Sequence, residues 1–298
     1  MKKKCPVQHA GGQALIEGVM MLKGKHGASA IIKDDKIKVR TYKIRPLADR
    51  NRIFRLPFIR GIFSLFDMTY IGMKEMIYSA NAASEEEDKE SLGKFHIVVS
   101  IFLSLLFAII FFKLFPLGIT KLIQNQNIIG DNRFIFNLFD GMIRIGIFVL
   151  YIFLISLIPD IKRVFAYHGA EHKVVNCYEH GDKLTVENAR KYTTLHTRCG
   201  TSFLFIVMIF AILIFSIVPI DLPFFILFMV RLPLLLPIAG VSYEILKLSS
   251  KFKENIILRL LILPGLLLQK LTTREPDDKQ LEVGIAALKP LINVKSGR

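Results

Sequence analysis

Residues 199–220 read "CGTSFLFIVMIFAILIFSIVPI" and residues 222–243 read "LPFFILFMVRLPLLLPIAGVSY". The first run is uncharged and the second is broken only by Arg231. A helix needs roughly 20 apolar residues to span the hydrocarbon core of a bilayer. Both runs reach that length, and two more precede them: residues 97–112, "IVVSIFLSLLFAIIFF", and 145–158, "IGIFVLYIFLISLI". With their flanks, the four predict transmembrane helices near 95–118, 141–161, 200–219 and 222–245, with Arg144 in the first turn of the second. Apolar residues make up 52% of the 298-residue chain, 24 of them Phe, and the mean hydropathy is +0.44. An ordinary pair of soluble domains, which the length alone would suit, is excluded by that composition.

The charges orient the spans. Residues 1–93 carry 17 Lys/Arg, the connection 160–200 carries 7, and the tail after residue 245 carries 10. The connection 119–140 carries only Lys121 and Arg133, and the one between the third and fourth spans carries none. Lys and Arg collect on the cytoplasmic side, so both termini and the 160–200 connection are expected in the cytoplasm. The net charge of +15 then reflects topology and attraction to anionic headgroups; the expected partner is the lipid bilayer, with no nucleic acid. "MKKK" is followed by "CPVQHAGGQ" and no apolar core, so no signal peptide is expected. Cys5, Cys177 and Cys199 all fall on the reducing side and form no disulfide framework, and Cys177 reads as a small packing residue.

Three regions follow: 1–93, 94–245 and 246–298. In the first, residues 12–45 are expected to form a small β-meander. "SAIIKDDKIKVRTYKI" places two β-rich runs around a turn at Asp34-Asp35, and "GGQALIEGVMM" supplies a third strand. Three strands alone are marginal, so the meander should pack on something else. Residues 56–83 predict an amphipathic helix, interfacial or packed under the bundle, and 84–91 a charged linker. After the fourth span, residues 254–271 read as an interfacial helix broken at Pro264-Gly265, followed by a loop and a short amphipathic helix.

The chemistry concentrates in "YHGAEHKVVNCYEH", residues 167–180. His168, Glu171 and His172 spell H-x-x-E-H. Positions i and i+4 share a helix face, so both imidazoles can hold one metal ion with a glutamate alongside as base. Gly181 offers a helix stop, and Asn176 and Glu179 continue the face of His172. The motif is expected on a continuation of the second span. His196 and Cys199 form H-x-x-C just before the third. Consecutive spans with a short connection are antiparallel neighbours, so the two pairs should meet. Two His from one helix with His196 and Cys199 suit a divalent metal, zinc first. Four ligands close such a site; three leave a position for water, which Glu171 can deprotonate. Other polar candidates are Glu17, a buried acid serving the site or an outward-facing strand residue; Arg231, a deep charge facing the bundle interior; and Glu244, near the end of the fourth span beside a basic group or the headgroups. Asp160 and Arg163 read as solvated helix-end charges.

"GGQALIEGVMM", "YSANAA", "YHGAEHKVVNCYEHG", "LTVENARKY", "LHTRCGTSFL", "AGVSYE" and "PGLLLQKLTTREPDDKQLEVGIAAL" resemble the YqhQ-like family of bacterial membrane proteins, from about residue 10 to 288. The resemblance implies a predicted metal-dependent enzyme. Shared stretches include Glu17, His168, Glu171, His172, His196, Cys199, Glu244 and the "TTREPDD" segment with Arg274, Glu275, Asp277 and Asp278. The family's "LHPRCG" reads "LHTRCG" here; Thr197 replaces proline and spares His196 and Cys199.

The expected fold is mainly α: a polytopic cytoplasmic-membrane protein with four transmembrane helices, a small N-terminal β-rich cytoplasmic segment and interfacial helices. Two functions stay open. One is a zinc-dependent hydrolase at the cytoplasmic face, with Glu171 as base. The other is a non-enzymatic scaffold, locked by a structural metal, that binds other membrane proteins. Transport has a thin pathway, since Arg231 is its one deep charge.

Overall fold

The computed structural model describes residues 10–83, 94–126, 128, 130–252 and 255–292. Cys5 and the charged linker lie outside them.

Four antiparallel strands, β1 (Gly11–Leu15), β2 (Gly18–Lys23), β3 (His26–Lys33) and β4 (Lys36–Lys43), form a meander in sequence order. The Asp34-Asp35 turn is where the sequence puts it. Both residues have positive φ, and Lys33 pairs with Lys36 across them, as a two-residue hairpin requires. "GGQALIEGVMM" is two strands, not one. The chain reverses at Ile16-Glu17, with Glu17 at φ +53 and Leu15 paired with Gly18. A side chain at Gly18 would strike the Ala30 carbonyl of β3, so the reversal needs glycine there.

Strand β2 is buried along its whole length because both faces of the sheet are covered. Val19 and Met21 pack with Tyr167, Val174 and Leu288 of helices α5 (Pro159–His180) and α10 (Asp278–Ile292). Leu15, Met20 and Ile31 pack on the opposite face with Ile71 of α1 (Ile59–Ala83). This is why "GVMML" lacks the alternation of a half-buried strand, and it is the packing that a small meander needs. Lys23 reaches the end of α10 and donates from Nζ to the carbonyls of Leu291 (3.1 Å) and Ile292 (3.0 Å), which have no partner inside the helix.

The apolar half begins with α2 (Lys94–Ile109), which passes through a π-helical turn (Ile110–Leu114) into α3 (Phe115–Asn125). Helix α4 (Arg133–Ile155) starts at an Asn132 cap whose side chain accepts from the N–H of Phe134 and Ile135. After α5 and the short α6 (Val186–Arg190), α7 (Gly200–Phe215) and α8 (Phe224–Lys251) follow, then α9 (Ile256–Thr272). Three described helices are long and apolar enough to cross a membrane: Phe102–Asn125, Arg133–Ile155 and Phe224–Ser249. Large apolar side chains such as Phe107, Leu150, Leu213, Phe225 and Met229 face outward, as in a protein solvated by lipid. Helix α7 has 16 residues, about 24 Å, short of the ~30 Å hydrocarbon core. The count of membrane-length helices is therefore three where the sequence predicts four.

Three boundaries differ from the sequence reading. Helix α4 starts eight residues earlier than expected, so Arg144 lies in mid-helix and is buried. It also ends before the motif. Pro159 holds Ile158 extended at ψ 129° and starts α5 as a separate helix. Helix α9 runs through Pro264 unbroken, and Gly265 lets its backbone approach Ser202 of α7.

Candidate metal centre

Helix α5 is built to carry the cluster. Pro159 and Asp160 occupy its first turn, and Gly181 ends it in the left-handed conformation at φ +82. Between them, Tyr167, Gly169–Val175 and Cys177 are buried, because sheet and α10 cover one side and the approach to α7 covers the other. The segment after α9 lies directly on α5. Arg274 N–H donates to the Phe165 carbonyl at 2.9 Å, and a Cβ at Gly169 would collide with the Arg274 carbonyl oxygen.

His168 and His172 meet edge to face one turn apart, with ring centroids 4.4 Å apart. Each Nδ1 meets a backbone carbonyl: His168 that of Thr272 at 2.8 Å, His172 that of Thr194 at 2.5 Å. A carbonyl only accepts, so Nδ1 carries a proton in both rings, and in the neutral ring the lone pair is on Nε2. That is the tautomer and orientation a metal-ligating histidine uses. Cys199 Sγ lies 3.2 Å from His168 Nε2. One ligand atom each from His168, His172 and Cys199 falls within 4.8 Å of the others. Two imidazoles and a thiol are a donor set suited to a borderline-soft divalent cation.

His196 is close but turned elsewhere. Its ring centroid is 5.5 Å from that of His172, while its Nε2 is 3.8 Å from Glu179 Oε2. Gln269 grips its backbone on both sides, accepting from the N–H at 2.8 Å and donating to the carbonyl at 2.9 Å. Burial holds the imidazole below its usual pKa against the pull of Glu179. Burial also raises Glu179, yet hydrogen bonds from His196 and Arg198 outweigh it and hold the carboxyl at about 2.

Glu171 is 4% exposed, with one oxygen 3.4 Å from His172 Nε2. Burial pushes its carboxyl above the ordinary value; His168, His196, the Gly12 N–H and Arg198 pull the other way and lose. Strand β1 reaches Glu171 because residue 12 is glycine: a Cβ there would lie 3.0 Å from Glu171 Cγ.

The remaining candidates stand apart. Glu17 is not a strand residue. It sits in the β1–β2 turn and is clamped by Arg163, with Tyr167 Oη at 3.2 Å. Arg163 is thus more than a solvated helix-end charge. Glu244 pairs with Arg60 of α1 and accepts from the Phe58 N–H at 3.3 Å. Arg231 is buried inside the bundle, bonded to Asn137 at 2.7 Å. Cys177 is fully buried in the core under the sheet. Sequence reasoning missed Gln269, Arg198, Gly12 and the Thr194 and Thr272 carbonyls. The carbonyls carry no side-chain signal; the other three lie in motifs already noted as shared. A cavity of about 280 Å³ opens at the His196–Glu179 pair, with Phe252, Arg259, Ile262 and Leu266 among its other walls; His168, His172 and Cys199 do not line it.

Fold and cluster together define a class: a helical protein with membrane-length apolar helices and a small β/α layer that carries a His/Cys cluster at the junction. The chain belongs to the family described as "Protein of unknown function (DUF1385)", which matches residues 56–294. It is 34% identical over 310 residues to the "Uncharacterized protein YqhQ" of Bacillus subtilis (strain 168), covering 99% of this chain and 95% of that one. The YqhQ-like resemblance is therefore correct. No solved structure matches the chain.

Proposed function

We propose that this protein holds a divalent metal, zinc first, on His168, His172 and Cys199 at the cytoplasmic face of the cell membrane, and hydrolyses a substrate presented there. The observation that carries the reading is the pair of carbonyl-bound Nδ1 atoms. They turn both Nε2 atoms away from the carbonyls, and His168 Nε2 lies 3.2 Å from the Cys199 thiol. When bound, such a metal supplies Lewis acidity and lowers the pKa of a bound water toward 7. The protein's own groups do the rest. Thr272 and Thr194 fix the rings, and Glu171, buried beside His172, is placed to accept a proton. Three ligands, with His196 held by Glu179, leave room for water. The cavity at His196 has apolar walls at Ile262, Leu266 and Phe252 and a cation at Arg259, which suits a lipid headgroup or a peptide segment at the membrane surface. Four passes with both termini in the cytoplasm are supported by the antiparallel packing of α7 between α4 and α8 and by the Lys/Arg distribution.

The metal content of the purified full chain tests this. About one metal per chain is expected, falling to near zero in His168→Ala/His172→Ala; equal, near-zero content in both would sink the metal reading. Glu171→Gln then tests chemistry, with a loss-of-function phenotype of the deleted gene as readout. Lost function with metal retained supports the base; wild-type behaviour removes Glu171 from that role. The second reading, a structural clip in a scaffold for other membrane proteins, draws on the way the cluster joins α5, the loop before α7 and the end of α9 in one place. It predicts that Glu171→Gln functions normally while the two-histidine variant loses thermal stability.

A further inference from the structure

A second charged group lies in the apolar half of the molecule, away from the His/Cys cluster. Lys113, in the π-turn, Arg144 of α4 and Arg231 of α8 converge there. Lys113 Nζ is 4.5 Å from the Phe215 ring centroid, and the two guanidinium carbons lie 5.7 Å and 5.0 Å from it. Asp140 is the one carboxylate bonded to them among the described residues, 2.6 Å from Arg144 and 3.4 Å from Arg231. Lys113 Nζ, Arg144 Nε and Arg231 Nε are buried without a hydrogen-bond partner there, as is Asp140 Oδ1.

The charge does not balance. Guanidinium groups stay protonated in proteins, so Arg144 and Arg231 outnumber Asp140 even if Lys113 were neutral; with Lys113 charged the excess is two. Cation–π contacts with Phe215 offset part of this, but an unpaired buried charge is strongly destabilising. Ionisable groups at this depth usually mark a ligand or an ion path. The walls are informative. A cavity of about 10 Å³ is lined by Lys113, Arg144 and Arg231 with Leu117, Phe228 and Leu232, and no carboxylate lines it. That volume holds a particle about the size of one water molecule. Arg144 is eleven residues from each end of α4, about 16 Å along the helix axis from either. A lipid phosphate at a helix end is out of reach of that position, and a free phosphate is excluded by the volume.

From these observations we infer that the bundle binds one small monatomic anion, of the chloride class, between Lys113 Nζ and the guanidinium groups of Arg144 and Arg231. The ion neutralises the excess charge and supplies the acceptor that Lys113 lacks.

The test uses the purified full chain in nanodiscs of neutral phosphatidylcholine, at fixed pH and ionic strength, with chloride exchanged against gluconate. Each tenfold rise in chloride above its Kd should raise Tm by about 2 °C. Lys113→Met should abolish the dependence. Crystals grown in bromide should show an anomalous peak against Lys113 Nζ, a result that stands on the wild type alone if the variant does not fold. Equal Tm in chloride and gluconate with no bromide peak overturns the site. So does a halide dependence that survives Lys113→Met unchanged, or one that phosphate reproduces.

Discussion

Glu179→Gln removes the carboxylate that faces His196 and, in the proposed site, keeps it out of the three-ligand set. In the native protein its side chain is 13% exposed, bonded to Arg198 and 3.8 Å from His196. Those partners hold it at about 2 against an ordinary 4.5. At 1.36 kcal/mol per pH unit, the ionised form contributes at most about 3 kcal/mol to stability at neutral pH. Glutamine keeps the shape and can accept one hydrogen bond, but it offers Arg198 no charge. The folded-state pKa is depressed, so this contribution is fully present above about pH 4.5 and is lost as pH falls toward 2. The variant should therefore melt up to about 5 °C below wild type at pH 7, and the gap should narrow as pH falls from 4.5 toward 3. Tryptophan is absent from the chain, so melting is best followed by far-UV circular dichroism or by thiol reactivity of the buried cysteines in detergent. Metal content should be unchanged, since Glu179 touches none of the three ligands. Equal melting of variant and wild type at pH 7 would refute the assigned charge pairing, and loss of metal would refute the exclusion of His196.

Gly169→Val should drive the Arg274 backbone away from α5 and pull the Thr272 carbonyl off His168. At least a tenfold weaker metal affinity is expected, as for other losses of a group orienting a ligand, measured by competition with a chelating dye. Met21→Ala empties a fully buried position between sheet and α10 and should cost about 2 to 5 kcal/mol, read as a lower Tm with the helical content intact. Asp140→Leu leaves Arg144 and Arg231 without their carboxylate. It should destabilise the apolar bundle by about 3 to 5 kcal/mol, read as loss of the monodisperse peak on size exclusion in detergent.

Much of the architecture was legible from local signals. Apolar runs overlap all three membrane-length helices but miss some of their ends by up to eight residues, because hydrocarbon length is a one-dimensional constraint while helix ends depend on caps and packing. Asp34-Asp35 announced its turn, and Gly181 its helix end, because both need positive φ. The i, i+4 spacing of His168 and His172 put them on one face, and chain direction brought Cys199 to them. What failed was whatever depended on contacts from distant segments. Glu17 looked like a strand residue because its turn is set by packing of Gly18 against β3. The second span ran on into the motif in sequence terms, since "LISLIPDIK" stays apolar up to the proline that ends it.

Residue type and hydropathy are local properties, so the candidate His, Cys and Glu residues and the apolar membrane-length runs can be read along the chain. The proposed ligand set and the charge cluster cannot, because they exist only in the packed molecule. His168 and His172 are oriented by the carbonyls of Thr272 and Thr194, and His196 is claimed by Glu179 and Gln269. Lys113, Asp140, Arg144 and Arg231 come from three separate helices. Orienting a ring or crowding like charges depends on distances between atoms far apart in the chain, and only packing sets those distances.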